Sequence, residues 1–290
     1  MKSTYLTNML LLVVAVLLVW LMTESKVADS AYITDKIQAA QVNQITIVRL
    51  EQQSIHLQRD QQWQLSQPVN VRANQTRINL LLSLLQQPVH QQIPVTQTTD
   101  LAEFGLQQPE LSLVFNEYQF AFGDTEPLSG YRYILHNEQI YLVNDDISPL
   151  LGASASSFVD NRLLDPASNI AALHLPELQN QKVQQQYAAL SIVQQNDSWH
   201  SNPQNYPQDK LLPLLQNWQQ AYAMQVVILS DAATITPDAQ PAVTIELTDN
   251  TQRNFVVSYS EEGLTLTDHQ QQLQYLFPAT IIPALFSINE

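Results

Sequence analysis

Leu111-Ser-Leu-Val-Phe-Asn-Glu-Tyr-Gln-Phe-Ala-Phe122 is the stretch on which the fold class turns. Two runs rich in β-branched and aromatic residues flank Asn116-Glu117. Two linking residues suffice for a β-hairpin and are far too few for a crossover to a parallel strand. The pattern continues downstream. Arg132-Tyr-Ile-Leu135 and Ile140-Tyr-Leu-Val143 are joined through His136 to Gln139, so four strands form an antiparallel meander.

Working back from the meander, Ile45 to Leu50, Ile55-His-Leu57 and Trp63-Gln-Leu65 read as three more short strands, closed by Pro68. Asn74 is a good N-cap residue. Behind it, Ile78, Leu81, Leu82 and Leu85 repeat at helical spacing, and Pro88 follows.

Working forward, the same plan returns. Ile170 to Leu175, Ala189 to Val193 and Trp199 precede Pro203, and then a helix carries Leu211, Leu215, Trp218 and Tyr222 on one face. Pro213 belongs in or just before its first turn, where the missing N–H costs least. Strands follow at Val226 to Leu229, Ala242 to Leu247, Asn254 to Ser258, Leu264 to Leu266 and Leu273 to Phe277. Trp63 maps onto Trp199 and Pro68 onto Pro203 at offsets of 136 and 135. The expectation is an α+β protein of two tandem lobes, each an antiparallel sheet with one packed helix, produced by internal duplication. The lobes are expected at residues 42–166 and 167–290, after an anchor at 1–23 and a connector at 24–41.

The anchor is the clearest segment. No charge occurs between Lys2 and Glu24, and Met9 to Met22 is continuous Leu, Val, Ala, Met and Trp. At about 1.5 Å rise per residue, residues 4–23 match the ~30 Å hydrocarbon core of a bilayer. Lys2 precedes the segment, while Glu24 and Asp29 follow it. That bias predicts a cytoplasmic N-terminus, a single inner-membrane span and a periplasmic body. A cleaved signal peptide is the competing reading, against which stand the length of the run and a poor cleavage site.

Charge and composition exclude several classes. With 12 basic and 27 acidic residues the net charge is −15, which repels nucleic acid. There is no cysteine, hence no disulfide, thiolate metal site, cysteine nucleophile or lipid-modified cysteine anchor. Glycine, at 5 residues, is too scarce for a phosphate-cradling loop. The histidines show no metal-ligand spacing, and no metal or cofactor is expected. Gly152-Ala-Ser-Ala-Ser-Ser157 lacks the second glycine of a nucleophile elbow and reads as a small-residue loop. Trp63 and Trp199, each closing a strand, read as core anchors beneath the helices. Arg132, between Tyr131 and Tyr133, and Arg162 stand out because cations are rare; each is expected to have a defined carboxylate partner, either internal or on a ligand.

One further stretch carries more than pattern. Asp100-Leu-Ala-Glu-Phe-Gly-Leu-Gln-Gln-Pro109 precedes the quoted hairpin, with Phe122-Gly123-Asp124, Arg132-Tyr133 and Phe158 to Leu164 after it and Trp63 before it. Asp100 can cap one helical turn, with Glu103 completing a capping box. Gly105 can supply the left-handed residue that ends the turn. Leu101, Phe104 and Leu106 would then face inward, and Pro109 would stiffen entry into the strand, so that the segment plugs one end of the sheet.

This combination resembles the domain of unknown function 4340 family over residues 42–165, with no counterpart of the Phe-Gly-Leu segment in the second half. The resemblance implies a membrane-anchored envelope protein, and some relatives are encoded beside ABC-type export permeases. The residues it marks as interaction candidates are Trp63, Asp100, Phe104, Gly105, Leu106 and Pro109, with Arg132, Tyr133 and Arg162. The expected function is a non-enzymatic extracytoplasmic binding or scaffold module, an accessory partner of envelope or membrane proteins such as an ABC-type permease. The alternatives are an envelope hydrolase of glycan, peptide or lipid, built around Arg132, Asp145 and Asp146, and a small-ligand sensor or carrier using an inter-lobe cleft.

Overall fold

A computed structural model describes residues 32–34, 36–180, 185–229, 241–260 and 262–288. The anchor at 1–23 and the first part of the connector lie outside these residues. Among the described residues, no helix is long and apolar enough to cross a membrane.

The protein is α+β, with two large sheets and few helices. The first sheet holds β1 (Gln44–Arg49), β2 (Ile55–Arg59), β3 (Trp63–Gln67), β4 (Val71–Arg72), β5 (Gln91–Pro94), β6 (Leu111–Phe115), β7 (Tyr118–Thr125), β8 (Arg132–His136) and β9 (Gln139–Val143). Its order is β4-β3-β2-β1-β6-β7-β8-β9-β5. Helix α1 (Gln75–Leu82) continues as a 3-10 turn, Ser83–Gln86. The short α2 (Ser148–Leu151) follows β9.

The second sheet holds β10 (Ile170–Leu175), β13 (Leu190–Gln195), β14 (Ser198–Asn202), β15 (Gln225–Ile228), β16 (Ala242–Leu247), β17 (Gln252–Tyr259), β18 (Gly263–Asp268) and β19 (Leu273–Pro278). Its order is β14-β13-β10-β16-β17-β18-β19-β15. A separate hairpin, β11 (Leu178–Asn180) and β12 (Gln185–Tyr187), intervenes. Helices α3 (Gln208–Gln219) and α4 (Ile282–Phe286) complete the chain. The two sheets share one winding: an opening strand, a hairpin on one flank, a helix, a far edge strand, then a four-stranded meander that returns beside the opening strand.

Local sequence explains the turns. Asn137-Glu138 and Asn196-Asp197 both adopt positive φ between paired strand ends, the geometry of a two-residue hairpin whose twist matches its strands. Asparagine and aspartate tolerate that region better than other non-glycine residues. Pro68 and Pro203 both follow cis peptide bonds, after β3 and β14.

By compactness the chain divides into two units. One comprises Ile47–Gln52 and Leu80–Gly152 with what is described of Met1–Val42; the other comprises Asn43–Thr46, Gln53–Asn79 and Ala153–Glu290. In the first, Phe115 and Phe120 are fully buried and meet edge to face, 5.8 Å between centroids. In the second, Trp218 is fully buried against Phe286 and donates its Nε1–H to the Leu285 carbonyl at 2.6 Å, which fastens α3 to α4.

Two helix expectations need correction. Asn74 does cap α1, its Oδ1 accepting the Arg77 N–H at 3.2 Å. Helix α3, however, begins at Gln208, so Pro213 lies inside it rather than in its first turn. Burial of Leu211, Leu214, Leu215 and Trp218 outweighs the one lost backbone hydrogen bond. Tyr222 falls beyond the helix end and is exposed rather than on its apolar face.

In the first unit, His136 is buried, stacked on Phe120 at 4.3 Å. Its Nδ1 lies 2.7 Å from the Gln119 carbonyl, and its Nε2 lies 2.9 Å from the Asn137 amide nitrogen. Both contacts are satisfied by a neutral ring that donates from Nδ1 and accepts at Nε2. Burial holds the pKa below the usual histidine value, with Lys36 acting in the same direction and the Gln119 contact opposing. A depressed histidine pKa means the unfolded chain binds the proton more readily. The associated stability is therefore full above about pH 6.5 and is lost as pH falls below it. The thermal midpoint should drop between pH 7.5 and 5.5, and His136→Gln should reduce that dependence; an unchanged slope in the variant would contradict the assignment.

Candidate functional site

The motif residues of the first unit build a plug against β7. Asp100 caps the single 3-10 turn Leu101–Phe104, its Oδ1 accepting the Ala102 N–H at 3.0 Å. Gly105 ends the turn at φ +65°. Leu106 is buried beside Ala121 and Ile140, with Leu101, Phe104 and Tyr133 packed on that cluster. Phe104 meets Tyr133 edge to face at 5.0 Å. Pro109 is half-buried just before β6.

The two glycines explain the motif's spelling. A Cβ on Gly105 would stand 2.5 Å from Cγ of Asp124, and one on Gly123 would stand 2.1 Å from the Phe104 carbonyl oxygen. Gly123 lies where the β7–β8 register shifts, between Phe122 and Thr125. The turn is thus pressed onto a bulge with no room for a side chain at either position.

Arg132 ties this bulge to the end of β9. Its Nη1 donates to the Gly123 carbonyl at 2.7 Å, and its Nε and Nη2 both donate to Oδ2 of Asp145, Nε at 2.9 Å. Asp145 Oδ1 in turn accepts the Ser148 N–H that opens α2. Asp146 accepts from the Gln87 amide at 2.9 Å. The partner of Arg132 is therefore internal, and the carboxylates proposed for hydrolysis serve as locks between strands and turns.

In the second unit Arg72 plays the same part on a larger scale. Its Nε donates to Asp160 Oδ2 at 2.7 Å, and its Nη2 donates to the carbonyls of Arg162 and Leu164, each at 3.0 Å. Its Nη1 lies 3.4 Å from Asp165. The Ala167 N–H, with Gln62 and Arg72, holds the Asp165 carboxyl below the usual range against the opposing effect of burial. One guanidinium thus shapes the whole segment 160–165.

Backbone pairing holds the same segment from both sides. Asn74 N–H donates to the Phe158 carbonyl and Asp160 N–H to the Arg72 carbonyl; Leu163 N–H donates to Ala221 and Ala223 N–H to Asn161. Arg162 pairs across from Tyr222. The Arg162 guanidinium is exposed and has no ion-pair or hydrogen-bond partner among the described residues, unlike that of Arg132. Its backbone carries the structural role, which leaves the side chain to solvent.

Trp63 is buried in β3, with the Arg59 guanidinium 5.5 Å from its ring centre. Trp199 is only half-buried, so the two matched tryptophans do not share a role. Among the described residues, no three His, Asp or Glu gather to hold a metal ion. His56 contacts Thr46, and His174 contacts Ser191.

A polar-lined cavity of about 430 Å³ opens beside the segment fixed by Arg72. Asn74, Arg77, Ser154, Ser157, Tyr222 and Met224 are among its lining residues. Sequence reading passed over Arg72 and Arg77, although the scarcity of cations that drew attention to Arg132 applied equally to them. Tyr222 was assigned to a helix face, which hid it.

A family model described as Domain of unknown function (DUF4340) matches residues 63–240. It begins at Trp63 and continues well past residue 165, into the strands of the second sheet. No curated protein and no solved structure gives a match.

Substitutions at two positions test these locks. Gly123→Ala should cost about 2 kcal/mol or more, since the obstructing atom is a backbone carbonyl. Arg72→Met should cost about 2–4 kcal/mol by stranding Asp160 and two carbonyls, and Arg72→Lys should recover only part of it. Urea denaturation measures both; values within about 0.5 kcal/mol of the parent, as for neutral surface changes, would refute them.

Proposed function

Since the chain belongs to the DUF4340 family, we propose that it is a membrane-anchored extracytoplasmic binding module, an accessory partner of an envelope complex such as an ABC-type exporter. The observation that carries this reading is how the charged groups are used. Arg72, Arg132 and Arg253 each hold an aspartate, and Asp268, the fully buried partner of Arg253, also accepts the Gln271 N–H at 3.0 Å. In these three pairs the carboxylates are engaged in holding the fold. The module reading is preferred to the hydrolase alternative because Asp145 and Asp146 are engaged by Arg132, the Ser148 N–H and Gln87.

We also take the two sheets as products of an internal duplication, a reading supported by their common strand order. Duplication enlarges the surface available for partners without adding a catalytic centre. Residues 4–23 would confine that surface to the membrane plane, with the body on the periplasmic side. Confinement raises the effective concentration toward other membrane proteins, so modest contacts suffice.

In-membrane crosslinking followed by mass spectrometry tests this. Extraction in mild detergent should recover a permease or a second anchored protein with the full chain, and removal of residues 1–23 should abolish recovery. A C-terminal reporter active only in the cytosol, or wild-type protein crosslinked to nothing, would overturn the proposal.

A further inference from the structure

Resting on that reading, we propose that the outer edge of β15 is the docking site, and that its occupant is an extended, acidic segment of the partner protein. The hydrogen-bond phase of β15 carries the argument. Leu229 N–H donates to the Gln272 carbonyl, and Cα pairing runs Val227 to Gln274 and Gln225 to Leu276. Alternation in an antiparallel ladder therefore turns Gln225 and Val227 toward β19 and turns Val226 and Ile228 to the free edge. Ile228 N–H is taken by Ser156 Oγ at 3.0 Å, which agrees with that phase. On the other side, Ala223 N–H is taken by the Asn161 carbonyl at 2.8 Å. Between these closed positions, Val226 N–H has no hydrogen-bond partner among the described residues, and Val226, itself 4% exposed, is among the residues lining the 430 Å³ cavity.

The opposite edge of the same sheet shows what closure looks like. On β14 the outward groups of Trp199 are both occupied by one glutamine: Gln208 Oε1 accepts its N–H at 3.3 Å, and Gln208 Nε2 donates to its carbonyl at 2.7 Å. Ser201 N–H is taken by Asn205 Oδ1. Open edges invite strand addition, and proteins commonly blunt them. This chain blunts β14 and leaves a gap in β15.

Charge identifies the occupant. No carboxylate lines the cavity, although acidic residues outnumber basic ones 27 to 12. Arg77 lines it, exposed and without an ion-pair partner among the described residues. Arg162 stands across from Tyr222, which lines the same cavity. An uncommitted guanidinium beside the strand edge suits a side-chain or terminal carboxylate. Tyr222 and Met224, 57% and 71% exposed, offer apolar contact to alternate residues of an added strand.

Fluorescence anisotropy on the full chain in mild detergent, at low ionic strength, tests this. The probe is a labelled, blocked hexapeptide of alternating valine and glutamate. It should bind at least about tenfold more tightly than its valine–lysine counterpart. Of its two forms N-methylated at alternate residues, one should lose at least about tenfold, because one set of amides faces β15. Arg77→Glu should lose at least about tenfold with an unchanged thermal midpoint, because the side chain is exposed. Absence of binding, equal binding of the lysine peptide, indifference to both N-methylations, or an Arg77→Glu variant that binds normally would each overturn the inference. Self-association of the chain through this edge, seen by light scattering, with no peptide binding, would overturn it too. Membrane crosslinking separates the two levels. Partner recovery unchanged in Arg77→Glu overturns this inference and leaves the module reading standing; no recovery from wild type overturns that reading.

Discussion

The hydrogen bonds of Arg72 are the constraint on which the second unit depends. A guanidinium can donate five bonds in a fixed plane, and here it reaches a carboxylate and two carbonyls of a six-residue segment. The segment could not hold its shape through burial alone, because only Leu163 and Leu164 within it are buried. Once fixed, it offers one set of backbone groups to Arg72 and another to Ala221 and Ala223. The lining of the cavity beside β15 is a consequence: Asn74, Asn161 and Tyr222 are placed by that pairing. A neutral side chain could pack in the same space, but it could not direct three acceptors at once.

Much of this architecture was legible before any coordinates. Strands alternate with period two and turns carry asparagine, so hairpins such as Leu111 to Phe122 announce themselves. Gly105 was readable as a left-handed residue because glycine, lacking a Cβ, commonly closes a turn in that conformation. What could not be read was the cause of Gly123. Its requirement comes from the Phe104 carbonyl arriving from a different turn, and no local pattern encodes such an approach. Pro213 misled for a related reason: local preference favoured a helix start, while apolar burial across three turns decided otherwise. Rarity marks both Arg132 and Arg162, but only for Arg132 is an internal carboxylate found among the described residues; that difference depends on tertiary packing. The candidate site was the least legible part, since its residues come from three separate stretches and none forms a motif.

The molecule uses its charges economically. An excess of carboxylates favours solubility and repels polyanions, yet the same excess makes each arginine a scarce resource. Three of them hold aspartates inside the fold. Arg77, by contrast, lines the cavity beside β15, where the Val226 N–H has no hydrogen-bond partner among the described residues.

Glutamine runs through the contacts described above. Gln208 clasps the backbone of β14, Gln87 grips the turn before α2, and Gln62 steadies Asp165. An amide both gives and receives, and it has no proton to lose or gain. Fastenings of this kind keep their form across swings in acidity and ionic strength that would loosen fastenings made wholly of opposite charges. A chain so rich in this residue is suited to surroundings whose composition it does not control.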